Sequence, residues 1–215
     1  MDFVFSEQEK ERIKGAVQAL ENESSGEIVP YFVARSDSYD EAKWISSLLL
    51  TVLGIIFTGG LAYFWLLPSG TSTLMICAYL FISAIFGFVS PMLFPSLGTF
   101  LISDAVQEQR VRQRAFEAFL SEEIFTTIDR TGILLFISAA EHKVVVLADS
   151  GINAKVQPSD WNDIVQLVIN GIKSEELTHG IVKAINECKK LLLDNGFIVR
   201  TDDTNELPDD IRIEE

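Results

Sequence analysis

The sequence contains no charged residue and no histidine between Trp44 and Ser103, a stretch of 60 residues in a chain of 215. Elsewhere acidic residues outnumber basic ones by 31 to 17, which gives a formal net charge of −14. Such a chain, with no concentrated basic face, repels phosphate, so nucleic acid is not expected as a partner. The separation of apolar from charged sequence excludes a uniform soluble globule and a mainly disordered chain.

Cysteine and recognised catalytic signatures are also scarce. The two cysteines, Cys77 and Cys188, lie far apart in different kinds of sequence, so no disulfide framework is indicated. There is no Gly-rich phosphate loop, no Cys-x5-Arg signature, no DxDx pattern and no HExxH motif. The two histidines, His142 and His179, have no partner nearby at metal-ligand spacing, and we interpret both as exposed side chains.

The uncharged stretch divides into two apolar segments, each long enough to cross a bilayer. They run from about 45 to 67 and from about 73 to 95, with turn-forming residues between them. We expect a transmembrane helical hairpin over 44–103, the alternative being a buried helical pair in a soluble protein. Pro91 and Pro95 predict a kink or an end of the second span. Small residues that would let the two helices approach closely include Gly54, Gly59, Gly60 and Gly87.

Basic residues lie on both sides of this hairpin, whereas the loop between the spans carries no charge. The positive-inside rule then predicts a two-span membrane protein with both termini in the cytoplasm. The first residues lack a cationic segment followed by an apolar one, so no signal peptide is expected. The arginines that follow the hairpin have a second interpretation, which is contact with anionic lipid headgroups. The flanking basic residues are Lys43, Arg110, Arg112 and Arg114.

The remaining sequence predicts one α/β domain in two pieces, over 1–43 and 104–197, followed by an acidic flexible tail over 198–215. Ser6 and Glu9 form a capping box at the start of the first helix. A strand follows at Glu27, and Pro30 predicts that it lies at a sheet edge or carries a bulge. Two apolar runs predict a hairpin whose first strand is central and covered on both faces. These runs are Gly132–Ser138 and Lys143–Asp149, and further helices are expected over about 104–125, 158–171 and 174–195.

Two segments of this domain resemble the TPM domain family, which includes thylakoid-lumen, photosystem II and receptor-modulator members. The resemblance rests on the opening helix and strand, with the step Ser25-Gly26, and on the core DRTGILLFISAAEHKVVVLADSGI over 129–152. It implies a three-layer α/β/α sandwich with a short mixed sheet, here in a membrane-anchored member of bacterial type. It also implies membrane-associated roles: some members resemble acid phosphatases, some bind calcium, and others assist the assembly or repair of membrane complexes. This chain departs from the family pattern because its anchor interrupts the domain.

Carboxylates at the ends of the predicted strands are the candidate metal ligands. Asp37 follows the first strand, Asp129 precedes the second, and Asp149 ends the third. Strand ends are where α/β sheets open a crevice, and carboxylate oxygens are the ligands that Ca²⁺ and Mg²⁺ prefer. We hypothesise that Asp37 and Asp149, with Asp129, contribute to a divalent-cation site. The alternative is that they are solvated turn and cap residues.

Two functions follow from these observations. The first is a membrane-anchored interaction or assembly module for a membrane protein partner, favoured by the tether and by the missing catalytic constellation. The alternative is a weak metal-dependent hydrolase of acid-phosphatase type, so the sequence leaves open whether the chain is an enzyme. A transporter or channel is disfavoured, because spans without an ionisable residue offer no ion path.

Overall fold

The computed structural model describes residues 5–199 and 205–214. It separates into two compact units. The α/β unit comprises Met1–Ser36 and Glu108–Glu215, and the helical unit comprises Asp37–Gln107. The chain therefore leaves the α/β unit after its first strand and later returns to complete it.

The elements follow one another in an order that alternates between the two units. The chain begins with α1 (Glu7–Glu21) and β1 (Glu27–Val33), and then forms α2 (Asp40–Tyr63), α3 (Thr73–Leu93) and α4 (Pro95–Leu101). Helix α5 (Asp104–Ser121) leads to the hairpin of β2 (Gly132–Ser138) and β3 (Lys143–Ala148). The remaining elements are α6 (Ser150–Asn153), α7 (Asn162–Lys173), α8 (Leu177–Asp194) and β4 (Arg212–Glu214), with 3-10 turns at Ile124–Thr126 and Pro158–Trp161.

The capping box predicted at the start of α1 is confirmed. The backbone N–H of Glu9 donates to Oγ of Ser6 at 3.3 Å, and the backbone N–H of Ser6 donates to the Glu9 carboxylate at 2.9 Å. Two N–H groups that the helix leaves unpaired are thereby satisfied. The apolar stripe of α1 is fully buried and consists of Ile13, Val17 and Leu20.

The four strands form one mixed sheet in the order β3-β2-β1-β4. β2 runs parallel to β1, with Glu27 opposite Gly132, and antiparallel to β3. Residues of α1, α7 and α8 share one core with Ile28 and Ile133, whereas α5 packs on the opposite face of the sheet. All seven residues of β2 are buried because helices cover both of its faces. The predicted α/β/α sandwich with a short mixed sheet is confirmed.

β1 is an interior strand, which corrects the expectation that Pro30 would place it at an edge. The N–H of Glu27 donates to the carbonyl oxygen of Thr131 on the β2 side, whereas the N–H of Ile28 points the other way. Because these directions alternate, the Pro30 nitrogen faces the β4 side. The pairing with β4 begins one residue later, at Tyr31, so the proline lies just ahead of the paired segment.

The C-terminal residues pack on the α/β unit, which corrects the prediction of a flexible tail over 198–215. Of that range, 200–204 and 215 lie outside the described residues. Leu207 and Ile211 are buried in the two cores on opposite faces of the sheet. Arg212–Glu214 forms β4 beside β1. Two apolar anchors and the pairing with β1 therefore fix this segment despite its many acidic residues.

Ion pairs from α5 and from Glu122, the residue that follows this helix, hold β4 in place. Arg212 donates to the Glu122 carboxylate at 2.6 Å, and Arg114 binds the carboxylate of Glu214. The same carboxylate accepts the hydroxyl of Tyr31 at 3.0 Å. These contacts link α5, β1 and β4 at this end of the sheet.

Acidic side chains of α1 and β1 face the returning C-terminal segment. Glu27 accepts the backbone N–H groups of Glu206 and Leu207 at 3.3 and 3.4 Å. One oxygen of Glu21 accepts the N–H of Ile28, while its other oxygen is buried without a hydrogen-bond partner among the described residues. Burial, and then the nearby charge of Glu27, raises the pKa of Glu21 to about 9. The folded chain therefore keeps a proton on Glu21 at neutral pH.

In the helical unit, α2 and α3 pack along a line of small residues. Oγ of Ser46 lies 3.0 Å from Oγ of Ser90. The backbones come close at Gly87, where a Cβ atom would lie 2.7 Å from the carbonyl oxygen of Ser46. Gly59 and Gly60 face open space, so the expectation that they would serve this contact was wrong.

The outer surface of the helical unit is strongly apolar. Glu41–Tyr63 and Thr73–Leu93 are long and apolar enough to cross a membrane, and only 11% of each apolar window is buried. Leu48 and Ile56, for example, are 67% and 65% exposed. A core helix of a water-soluble protein would bury such side chains. As expected, the second apolar helix ends close to Pro91, at Leu93.

Replacing Gly87 by valine should loosen the pair of helices, because the new side chain would collide with backbone atoms of α2. Overpacking of this kind costs about 1–3 kcal/mol, so we expect a lower Tm for the full chain in detergent. Gly59→Val is the matched control, since it makes the same change at an open position of α2. Equal losses of Tm in the two variants would contradict the packing described here.

The raised pKa of Glu21 predicts that stability falls as the pH rises. Between the ordinary glutamate pKa of 4.5 and about 9, the unfolded chain has lost this proton and the folded chain has kept it. The unfolded state therefore binds fewer protons, and the free energy of unfolding decreases across this window. Glu21→Gln should remove that decrease and raise Tm at about pH 8 relative to the unchanged chain. Glu11→Gln, at an exposed position of the same helix, is the matched control and should not reproduce this rise in Tm.

Candidate functional site

β3 forms one edge of the sheet, and its outer side faces no other strand in the described part of the chain. The N–H of Asp149 donates to the carbonyl oxygen of Gly132, which fixes the hydrogen-bond alternation along the hairpin. Odd-numbered residues of β3 therefore bond to β2. The N–H and C=O groups of Val144 and Val146 point to the open edge instead.

Helical segments flank the open edge of β3 and enclose a groove of about 800 Å³. One wall consists of Phe116 and Phe119 from α5. Trp161 and Val165 form the other wall, at the start of α7. Phe116 is 47% exposed, so apolar surface lies open beside unpaired backbone groups. We call this site the β3 groove.

The charge available in the β3 groove is positive. Arg112 is exposed on the α5 wall, with its guanidinium carbon 5.7 Å from the centroid of the Phe116 ring. Within the described residues it has no carboxylate partner. Asp149 also lines the groove, but its charge is matched by Arg130.

Asp149 closes one end of the β3 groove and is held by a two-pronged ion pair. Nε and Nη2 of Arg130 donate to its two oxygens at 2.6 and 2.9 Å, and the backbone N–H of Ser150 donates at 2.6 Å. Asp149 is 6% exposed, and burial by itself would raise the pKa of its carboxyl group. The hydrogen bonds from Arg130 and Ser150 outweigh burial and hold the pKa of Asp149 below its usual value. The carboxylate is thus ionised and neutralised locally.

Gly151 explains why the loop before β2 can carry this arginine. Its N–H donates to the carbonyl oxygen of Arg130 at 2.9 Å. A Cβ atom at this position would lie 2.4 Å from the carbonyl oxygen of Asp129. Only glycine lets the two segments approach closely enough for the ion pair to form. The glycine at the end of the TPM-like core segment therefore has a structural reason.

The predicted metal ligands do not form a donor set suited to Ca²⁺ or Mg²⁺. The oxygens of Asp149 already accept hydrogen bonds from Arg130 and Ser150, and Asp129 is exposed. Asp37 belongs to the helical unit, where it accepts the backbone N–H of Tyr39 at 3.2 Å. Over 5–199 and 205–214, no three His, Cys, Asp or Glu side chains are grouped so that they could hold a metal ion.

The basic residues predicted to flank the membrane have different environments. Lys43, in the helical unit, pairs with an aspartate of the same helix. Arg114 is engaged by Glu117 and by Glu214 of β4, whereas Arg112 lines the β3 groove and Arg110 is exposed. Their effect on membrane topology stays a prediction, but Arg114 has a clear structural role.

Sequence reasoning did not find the β3 groove. Local periodicity places Phe116 and Phe119 only on the apolar side of one helix, and Trp161 and Val165 on that of another. The sequence does contain one signal for a second apolar surface. The apolar side of α5 is wider than packing against the sheet alone requires. Phe116 and Leu120 on that side are 47% and 61% exposed in the structure.

Removing Arg130 should leave the buried Asp149 carboxylate without its cation. We expect Arg130→Ala to lower Tm at neutral pH, with Arg130→Lys intermediate because lysine keeps the charge without the planar fork. Because the pKa of Asp149 is lowered in the folded chain, its carboxylate stabilises the fold at pH values above the ordinary aspartate pKa. This stabilisation is lost as the pH falls through the folded-state pKa. That acid dependence should be smaller in Arg130→Ala.

The carboxylates predicted as metal ligands should not bind a divalent cation. Adding Ca²⁺ or Mg²⁺ at about 1 mM should therefore not raise Tm of the unchanged chain, and a clear increase would contradict this prediction.

Comparisons with known proteins support the fold. Residues 99–191 match the family model of the TPM domain. The chain is also similar to the NMR structure of the BA42 protein from the psychrophilic bacterium Bizionia argentinensis, with a TM-score of 0.60 at 17% identity, covering 100% of this chain and 98% of that one. No curated protein sequence matches the chain. The resemblance to the TPM domain family that the sequence indicates is therefore confirmed over residues 99–191.

Proposed function

We propose that the chain is a membrane-anchored interaction module whose TPM-like unit binds a membrane protein partner through the β3 groove. The observation that carries this proposal is an exposed apolar groove along an unpaired strand edge. Exposed apolar surface beside open backbone groups is the kind of surface that proteins use for association. The buried carboxylate nearby, Asp149, is already neutralised and offers little for catalysis.

Anchoring is supported by the helical unit. Its two long apolar helices expose side chains that water would solvate poorly and that lipid would solvate well. The serine hydroxyls between α2 and α3 are satisfied within the pair: Ser47 donates to the carbonyl oxygen of Ala84 at 2.9 Å, and Ser83 to that of Leu50 at 3.0 Å. Such satisfaction is what a polar group inside a bilayer requires.

The proposed topology has both termini and the α/β unit in the cytoplasm. It rests on the basic residues Lys43, Arg110, Arg112 and Arg114 on both sides of the hairpin and on the uncharged loop between the spans. In this arrangement the partner is reached at the cytoplasmic surface of the membrane.

The alternative is a weak metal-dependent hydrolase of acid-phosphatase type, which rests on family resemblance. A phosphatase needs a nucleophile or metal ions that polarise the phosphate. The ion pair between Asp149 and Arg130 leaves the best-placed carboxylate engaged. The geometry therefore favours the interaction module.

A photo-crosslinking amino acid at position 116 should test the proposed function in the membranes of cells that produce the full chain. The chain should stay in the membrane pellet after an alkaline wash, and position 116 should give a discrete crosslinked product. The matched control is position 120, which is more exposed on α5 than position 116 but does not line the groove. Asp149→Asn should leave any phosphomonoester turnover of the purified chain unchanged.

Two outcomes would contradict the proposal. One is the absence of a product at position 116, or an equal product at position 120, from protein that is shown to be folded. The other is phosphomonoester hydrolysis that is lost in Asp149→Asn at unaltered Tm, which would favour the hydrolase.

A further inference from the structure

The two edges of the sheet differ in how they are protected. β4 has only three residues, and ahead of it Pro30 removes the N–H that would face a longer strand. β3 is twice as long and contains no proline, no bulge and no charge between Lys143 and Asp149. Natural proteins protect exposed edges with short strands, prolines, bulges or charges. Between Lys143 and Asp149, the edge at β3 carries none of these devices.

We propose that the β3 groove receives an extended segment of a partner protein, which pairs with β3 as a further strand of the sheet. This inference rests on the proposed function and names the kind of partner segment that the same groove accepts. The outward N–H and C=O groups of Val144 and Val146 supply two donors and two acceptors in a row. An extended backbone matches that row, and strand addition of this kind is an established mode of peptide recognition.

The geometry of the groove favours a strand over a helix. A neighbouring strand lies about 4.8 Å away and satisfies the open backbone groups directly. A helix is about 10 Å wide and has no free backbone groups along its length, so it would leave those of Val144 and Val146 unpaired. Unpaired groups buried by a ligand cost free energy rather than contributing to binding.

The walls define the side chains that the segment should carry. Successive side chains of an added strand point alternately to the two faces of the sheet. On one face they meet Phe116 and Phe119, and on the other Trp161 and Val165. Both walls are apolar, so the segment should carry β-branched side chains at consecutive positions, with valine or isoleucine on at least one of the two faces. Arg112 favours an acidic side chain at the α5 side of the segment.

The groove also limits the length of the pairing. Asn153 donates to the carbonyl oxygen of Ala148 and so covers the outward acceptor beyond Val146. The open register therefore centres on Val144 and Val146, which suits a paired segment of about four to six residues.

Two synthetic peptides of about ten residues test this inference on the full chain in detergent. The first has two glutamates at its N-terminus followed by alternating valine and threonine. The second is identical except for a proline in place of the central valine. We expect the first peptide to bind and the second to bind at least about tenfold more weakly, because proline removes a backbone donor.

Amide hydrogen exchange distinguishes strand pairing from non-specific binding of an apolar peptide. The first peptide should slow exchange at the outward amides of Val144 and Val146. The inward amides of Val145 and Leu147 already bond to β2 and should change little. An alternating pattern along β3 supports strand addition, and uniform or absent protection overturns it.

Variants of the chain locate the peptide in the groove. Phe116→Asp should weaken binding of the first peptide at least about tenfold, whereas Leu120→Asp, outside the groove on the same helix, should not.

Val146→Pro should abolish binding while leaving the bonds from β3 to β2 intact, since the N–H of Val146 faces outward. Arg112→Glu should weaken binding of the first peptide and be compensated by a peptide with lysines in place of the glutamates.

The outcomes separate this inference from the proposed function. A crosslinked partner at position 116 together with unchanged exchange at Val144 and Val146 overturns strand addition and leaves the interaction module standing. Equal effects of Phe116→Asp and Leu120→Asp also overturn strand addition. Light scattering that shows a dimer of this chain, broken by Val146→Pro, would assign the edge to a second copy and overturn the partner segment proposed here.

Discussion

The parallel pairing of β1 with β2 is the constraint on which the rest of the α/β unit depends. It places Glu27 opposite Gly132, although more than 100 residues separate them in the chain. Parallel neighbours require a crossover connection, and here that connection contains the whole helical unit followed by α5. Because β2 is buried on both faces, its register is strongly specified. The positions of β3, β4 and the covering helices follow from it.

The two sheet edges then acquire opposite properties. At the β4 edge, Arg212, Arg114 and Glu214 form ion pairs with neighbouring elements, and Glu21 keeps a proton among other carboxylates. The charged side chains at that edge are paired or protonated and hold neighbouring elements together. At the β3 edge the ion pair of Asp149 and Arg130 closes one end, and the remainder stays apolar with unpaired backbone groups. The contrast supports a role in association.

The candidate site could be predicted from the sequence only in part. The sequence places Asp149 at a strand end, but it does not show that Arg130, 19 residues earlier in the chain, reaches the carboxylate through a close approach at Gly151. Asp37 lies at the boundary where the chain enters the helical unit, and its carboxylate serves a local turn. Helical periodicity alone marks Phe116 and Trp161 only as apolar residues on the side of a helix. That they face one groove depends on which sheet edge is open, and strand order is not contained in the periodicity of either helix.

The sequence by itself determined the elements whose signals are local. The capping box of α1, the hairpin of β2 and β3 and the two apolar helices follow from caps, strand propensity and hydropathy along a few neighbouring residues. Tertiary structure decided the position of β1 inside the sheet, the docking of residues 205–214 and the open edge at β3. Each of these depends on pairing between distant segments. Two buried side chains, Leu207 and Ile211, and a few ion pairs outweigh the acidic composition of the C-terminal segment, which on local grounds alone predicts a free tail.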